Sequence, residues 1–373
     1  MANRNLDAES TDKLIPDSRE QAILAAIIQE HLVTGEAIGS QTLSDRFAHA
    51  AGWSAPTIRN VMGRLEECGL VEQPHTSAGR IPTDQGYRFY VDHMVGNEKL
   101  SRSDLAAIRK IVYGTADEPR LDPDRLMQKA SHVLSALSEN VGIVVSPSLA
   151  DNRLQHIEFV QLPDDRILVV LVSVSNIVHD KIIRLDEKFS QDELEQTARY
   201  LNTEFSGKSL STIRSEIIAL MQEEKALYDR LLRNAMLLCE LSLEGEEAIA
   251  CEVYVDGASN ILLQPEFADT EKMRALFRMF EEKSRLVKIL NECVSGEQNA
   301  LGKVKVVIGQ ENTAPSMKRC AVITAPYRIG EGGTSGTLGV VGPTRIEYAR
   351  MMAVVNYLAR FIERELSYEG FLQ

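Results

Sequence analysis

Residues 54–92 read SAPTIRNVMGRLEECGLVEQPHTSAGRIPTDQGYRFYVD. Ser54 is placed to cap a helix, Pro56 is tolerated in its first turn, and Ile58, Met62, Leu65 and Cys68 recur every three to four residues until Gly69 stops the run. The opposite face shows Thr57, Arg59, Asn60, Gly63 and Arg64. After the helix, LVEQPH and RIPTD are spaced to pair as a small hairpin whose tip carries His75, Thr76 and Ser77, with Arg80 beside it. Tyr87, Phe89, Tyr90 and Val91 follow on a helical run that closes the back.

Working outward toward the N-terminus, SREQAILAAIIQEHLVTG offers a capping box in Ser18 and Gln21, an apolar stripe of Ile23, Leu24, Ile27, Ile28 and Leu32, and Gly35 as the stop. GSQTLSDRFAHA then reads as a short helix capped by Ser40, with Leu43 and Phe47 on one side. Two helices joined by a turn, the second apolar behind and Arg/Asn/Thr-rich in front, with a hairpin after them, make a winged helix-turn-helix over residues 1–95. In that arrangement the second helix enters the major groove by its N-terminal half. Arg and Asn form bidentate bonds to guanine and adenine edges, and hydroxyls and imidazoles on a hairpin tip suit phosphate. The candidate DNA-contacting residues are therefore Ser40, Thr42, Ser54, Thr57, Arg59, Asn60, Arg64, His75, Thr76, Ser77 and Arg80.

The charge balance sets a condition on that reading. The net charge of the 373 residues is −13, and through Val95 eight basic residues face thirteen acidic ones, a local balance of −5. Phosphate binding feeds on Lys and Arg, so positive charge must be concentrated on one face. The longest apolar run, ILVVLVSV from Ile167, is far short of the roughly 20 residues that span a bilayer, and the N-terminus is acidic and polar where a secretory signal would be basic then apolar. A cytoplasmic protein is expected. The five cysteines are scattered without a CxxC pair and read as small buried hydrophobes rather than a zinc site or disulfide framework.

Past the polar stretch GNEKLSRSD, two helical runs lead into β-branched runs GIVVSP, LQHIEFVQL, RILVVLVSV and NIVHDKIIRL, spaced as an antiparallel meander. From Ser190 the chain turns helical, with a Ser190/Glu193 capping box and a stripe of Ile213, Ile217, Leu220, Leu227, Leu231, Ala235 and Leu238. IACEVYVDGASNILLQP reads as a hairpin, TEKMRALFRMFEEKSRLVKILNEC as one helix, and strands return at VKVVIG, CAVITAPY and GTLGVVGP before a closing helix from Thr344 to Leu366. Strands on both sides of a helical block indicate a domain inserted into a domain, an α+β multidomain chain.

Enzymatic motifs fail on detail. His75 beside Thr76 and Ser77 lacks the third group that orients a catalytic base. The glycines of RIGEGGTSGTLG match neither GxxxxGK[ST] nor GxGxxG and lead into a strand, where a phosphate cradle would open a helix. No metal-ligand spacing is present, so neither an enzyme, a metal nor a cofactor is expected.

GEAIGSQTLSDRF, residues 54–92, and GTSGTLGVVGPTRIEYARMMAVVNYLA near the C-terminus closely resemble the HrcA family of heat-inducible transcription repressors. Where the family's usual pattern is similar to SSATIRNEM, this chain has Trp53, Pro56 and Val61. The resemblance implies the winged helix at 1–95, a GAF-like α/β domain at 96–189 and 269–373, and a helical/β dimerisation domain inserted at 190–268. It further implies a homodimer on an inverted-repeat CIRCE-type operator in double-stranded DNA, repressing the groELS and dnaK systems. A GroEL-type chaperonin partner would keep the repressor active, and heat would release it by diverting that chaperonin. The alternative is a winged-helix regulator using the GAF-like domain as a small-molecule sensor.

Overall fold

The computed structural model describes residues 16–47, 52–75, 78–96, 99–114, 122–147, 153–164, 166–174, 178–184, 189–209, 251–267, 270–294, 304–329 and 335–368, with short stretches between 212 and 238. By internal contacts the chain forms two compact units. One comprises residues 1–98 with 308–321 and 343–350, the other residues 99–307, 322–342 and 351–373.

In the first unit, α1 (Ser18–Thr34) is capped one residue earlier than expected. Asp17 adopts the extended conformation and accepts from the backbone of Arg19 and Glu20, while the Glu20 side chain accepts the Asp17 N–H at 2.9 Å. A carboxylate at the cap gains from the helix dipole as well as the hydrogen bonds, which favours Asp17 over Ser18. Ile23, Leu24, Ile27 and Ile28 are buried, and Gly35 ends the helix at φ +69°. The short α2 (Ser40–Phe47) begins at Ser40 itself, so Ser40 is its first helical residue rather than its cap, and Leu43 is fully buried.

Helix α3 (Ala55–Glu67) is capped by Ser54 with Pro56 in its first turn, and it buries Ile58, Val61, Met62 and Leu65. Strands β1 (Val71–Glu72) and β2 (Ile81–Pro82) pair antiparallel as Val71 with Pro82 and Glu72 with Ile81. A further antiparallel bridge joins Ile38 to Arg80 through two backbone hydrogen bonds of 2.9 Å, tying the hairpin to the start of α2. Helix α4 (Asp84–His93) is capped by Thr83, which also donates to the Gly69 carbonyl at 2.6 Å. Gly86 is required there, because a Cβ would meet the Leu70 carbonyl oxygen at 2.0 Å. Tyr87 and Val91 are buried, whereas Phe89 and Tyr90 are half-buried.

Distant segments complete this unit. Arg88 grips Glu311 bidentately at 2.8 and 2.6 Å, the Gln310 N–H donates to Asp84 at 3.0 Å, and Arg345 donates to the Leu32 carbonyl at 3.0 Å. The Tyr87 and Tyr348 rings lie 5.5 Å apart. The closing helix, expected from Thr344, begins at Tyr348.

The second unit opens with α5 (Arg102–Tyr113) and α6 (Pro123–Ser138), followed by β3 (Val141–Val145). Here the expected meander is corrected. β3 pairs antiparallel with β7 (Val253–Asp256) and with β10 (Ser335–Pro343), and β9 (Cys320–Arg328) and β8 (Lys305–Ile308) complete a five-stranded sheet of order β7-β3-β10-β9-β8. Gly142 allows α6 to approach β3, as a Cβ there would meet the Ser131 carbonyl oxygen at 2.2 Å. The hairpin expected around β7 is a single strand followed by 3-10 turns at Ala258–Leu263 and Pro265–Phe267. The helix expected over the next stretch is two, α8 (Thr270–Glu281) and α9 (Lys283–Val294), and α10 (Tyr348–Tyr368) closes the chain. Cys320 lies buried in β9, while Cys68 and Cys251 are only half-buried, and no cysteine among the described residues is in a disulfide.

Strands β4 (Leu154–Leu162), β5 (Arg166–Ser173) and β6 (Val178–Arg184) form a separate antiparallel sheet. One face of it packs with α7 (Gln191–Glu204) and the helical residues Ile213, Ile217, Ala235 and Leu238 into one buried cluster running from Leu154 to Leu238. Leu220, Leu227 and Leu231 of the expected stripe lie outside the described residues. The chain leaves and rejoins the five-stranded sheet at one place. There the Ser146 N–H donates to the Glu252 carbonyl at 2.8 Å and the Glu252 N–H to Ser146 Oγ at 2.7 Å.

Candidate nucleic-acid interface

At roughly 100° per residue, the buried stripe of α3 leaves Pro56, Asn60, Gly63 and Glu67 along the opposite centre line, with Arg59 and Arg64 on its two flanks. Arg59 and Asn60 are exposed, and nothing lies within 4 Å of a Cβ built on Gly63, so the face is low between the arginines. Glu67, exposed at the far end, repels phosphate there and leaves the N-terminal half as the end suited to a groove. Arg59 reaches Ser40 Oγ at 3.5 Å, the limit of a hydrogen bond, and has no carboxylate partner among the described residues.

The other candidates divide by how much of their chemistry is already used. Ser54 Oγ accepts the Thr57 N–H at 3.5 Å and shares a 2.9 Å contact with Thr57 Oγ1, so these two hydroxyls serve the cap first. Thr42 is exposed on α2, and His75 is exposed at the hairpin. Thr76 and Ser77 lie outside the described residues. Arg64 is paired with Glu20 at 3.0 Å. Arg80 is paired with Glu66 through Nε at 3.1 Å and Nη2 at 2.8 Å, with its side chain 19% exposed.

Sequence reasoning passed over Glu20 and Glu66, which hold these two arginines across 44 and 14 residues of chain. The only sequence signal for Glu20 was its place three residues after Asp17 in a capping box. Arg46 is likewise paired, with Glu30 and Gln29. Of Arg46, Arg59, Arg64 and Arg80, Arg59 on α3 is the one with no carboxylate partner among the described residues. Among the described residues no group of His, Cys, Asp and Glu is placed to hold a metal ion, and no helix is long and apolar enough to cross a membrane.

Known proteins match the chain along most of its length. The family model described as the HrcA protein C terminal domain matches residues 124–352, a stretch that begins after α1–α4. A heat-inducible transcription repressor HrcA of Geobacter sulfurreducens is 41% identical over 351 residues, spanning 94% of this chain and 98% of that protein. Its counterpart in Syntrophobacter fumaroxidans is 34% identical over 352 residues, with the same coverage. The chain belongs to the HrcA family. As an HrcA-family member it is a heat-inducible repressor of transcription, and a repressor acts on DNA. A crystal structure described as that of a hypothetical protein superposes with a TM-score of 0.60 at 24% identity, over 95% of this chain and 99% of the other, and shows the same fold.

Proposed function

We propose that α2, α3 and the β1–β2 hairpin form a winged helix-turn-helix that represses transcription by seating α3 in the major groove of an inverted-repeat operator of the CIRCE type. The observation that carries this reading is the face of α3 itself, where Arg59 and Asn60 stand exposed beside Gly63 on the half of the helix nearest the α2–α3 turn. Ser40, Thr42, Ser54, Thr57, His75, Thr76 and Ser77 then serve as backbone contacts around it. Arg80 is reassigned from a phosphate contact to a strut that holds the hairpin against Glu66.

The remaining domains follow the sheets. The five-stranded sheet with α5, α6 and α8–α10 is the GAF-like domain, and the inserted dimerisation module runs from residue 147 to 251, with its own sheet and core. Val174, Val178 and Ile182 are 46–59% exposed at this module's sheet, which supports a second copy of the chain covering it. A homodimer places two α3 helices on two half-sites, as an inverted repeat requires. The family resemblance adds a GroEL-type chaperonin that maintains the active repressor. It also makes the groELS and dnaK systems the regulated targets.

Competition in a gel shift tests the reading. A labelled inverted-repeat duplex should be displaced by unlabelled inverted repeat at concentrations at least a hundredfold below those of scrambled duplex, the ordinary gap between specific and non-specific binding being ~10³–10⁷. Displacement by both at the same concentration refutes operator recognition.

A further inference from the structure

The two arginines that carboxylates hold beside α3 are held differently. Arg80 spends both Nε and Nη2 on one oxygen of Glu66. Arg64 Nε lies 3.0 Å from Oε1 of Glu20, an ion pair in which that buried oxygen gains no hydrogen bond, and the Arg64 side chain stays 54% exposed. Among the described residues nothing takes its two Nη groups. Glu20 is not free to follow Arg64, because it is 5% exposed and its other oxygen, Oε2, accepts the Asp17 N–H at the start of α1. A carboxylate locked into the cap of one helix therefore tethers, by charge, the guanidinium on the flank of another.

We propose that Glu20 is a positioning residue for DNA recognition, holding Arg64 by charge on the flank of α3 from which its Nη groups make an end-on bidentate contact with guanine O6 and N7. The proposal rests on the reading of α3 as the recognition helix and adds to it a second base-reading arginine and the residue that aims it. An unheld arginine gives up rotamer freedom when it docks on a base, and one already held gives up less. Charge alone argues the other way for Glu20, since a carboxylate near a duplex weakens binding to every sequence. Its two effects thus have opposite signs on operator and on random DNA, and this makes them separable.

The test uses the full chain and four proteins: wild type, Glu20→Gln, Arg64→Gln and the double variant. Fluorescence anisotropy follows each on a CIRCE-type inverted-repeat duplex and on a scrambled duplex. Glu20→Gln keeps an oxygen for the Asp17 N–H, so the cap survives. It should bind scrambled DNA as well as wild type or better, having lost a negative charge, yet bind the inverted repeat roughly tenfold more weakly. The double variant should lose no more on the inverted repeat than Arg64→Gln alone, because both act through one contact. Inverted-repeat binding that strengthens in step with scrambled binding, or losses that add, would overturn the proposal. Should Glu20→Gln melt below the assay temperature, Arg64→Gln decides by itself, since its side chain is largely exposed. An unchanged ratio of inverted repeat to scrambled DNA then sinks the idea. A wild type that fails to discriminate between the two duplexes removes the recognition-helix reading and this inference together, whereas a discriminating wild type beside an indifferent Glu20→Gln removes the inference alone.

Discussion

Excision of residues 147–251 should convert the repressor into a folded monomer that has lost its operator. The cut is dictated by the neck: Ser146 and Glu252 exchange hydrogen bonds of 2.8 and 2.7 Å, directly after the antiparallel pair Val145–Val253. An Asn-Gly turn between them closes β3 and β7 into a hairpin in the conformation such two-residue loops prefer. The core cluster from Leu154 to Leu238 lies wholly within the removed residues, so it leaves in one piece and strands no apolar side chain on the remainder. Without the second copy, the second half-site contact ceases to be intramolecular and an effective concentration on the order of millimolar is lost. Affinity should then fall from the specific range of ~10⁻⁸–10⁻¹¹ M toward the non-specific ~10⁻⁴–10⁻⁶ M, at least about 100-fold, or about 2.8 kcal/mol. Sedimentation velocity and a gel shift on one preparation read both outcomes. A control deletion of residues 190–268 takes α7 from the β4–β6 sheet and β7 from β3, and should aggregate. A 147–251 deletion that still sediments as a dimer with intact affinity would refute the assignment of the inserted module.

Three further outcomes follow from single groups. Arg80→Ala should lower the melting temperature by several degrees, because it leaves Glu66 unpaired beside the bridge to Ile38, while changing operator and scrambled binding alike; a loss confined to the operator would make Arg80 a base reader after all. Burial pushes the Cys320 thiol up to about 12, so it stays protonated and should resist iodoacetamide in the native protein, as read by peptide mass spectrometry; labelling at the rate of the unfolded chain would contradict its placement in β9. Burial also holds the His179 imidazole below its ordinary value near 6.5, against the opposing pull of Glu252, Asp124 and Asp180. The unfolded chain takes up that proton first, so stability should fall as pH drops through about 6.5, and the penalty should persist in full below the folded value. His179→Asn should melt with a shallower pH dependence than wild type between about pH 7.5 and 5.5, and an identical slope would show that His179 is solvated.

The elements written into local periodicity were legible: α1 to α4, the hairpin, α5, α6 and the strands β8 to β10 lie where three-to-four-residue and two-residue repeats put them. What failed were choices that local pattern does not encode. GIVVSP and LQHIEFVQL are equally β-branched, yet β3 belongs to one sheet and β4 to another, because pairing depends on β7 and β10 more than a hundred residues away. The docking of Glu311 on Arg88 and of Arg345 on Leu32 joins residues 223 and 313 apart and leaves no mark in either stretch. At the candidate site, Arg59 and Asn60 are as exposed as helical spacing implied, whereas the acids that claim Arg64 and Arg80 come from a capping turn and from the buried-side flank of α3 itself.

The claim that α3 reads bases is tested most directly by pairing Arg59→Ala with every single-base variant of the inverted repeat and measuring each affinity. The account predicts a loss of about 1–3 kcal/mol on the intact site and, at one G·C pair per half-site, indifference to substitutions that weaken the wild type. Equal weakening on all duplexes, scrambled DNA included, with every base preference kept, would contradict it.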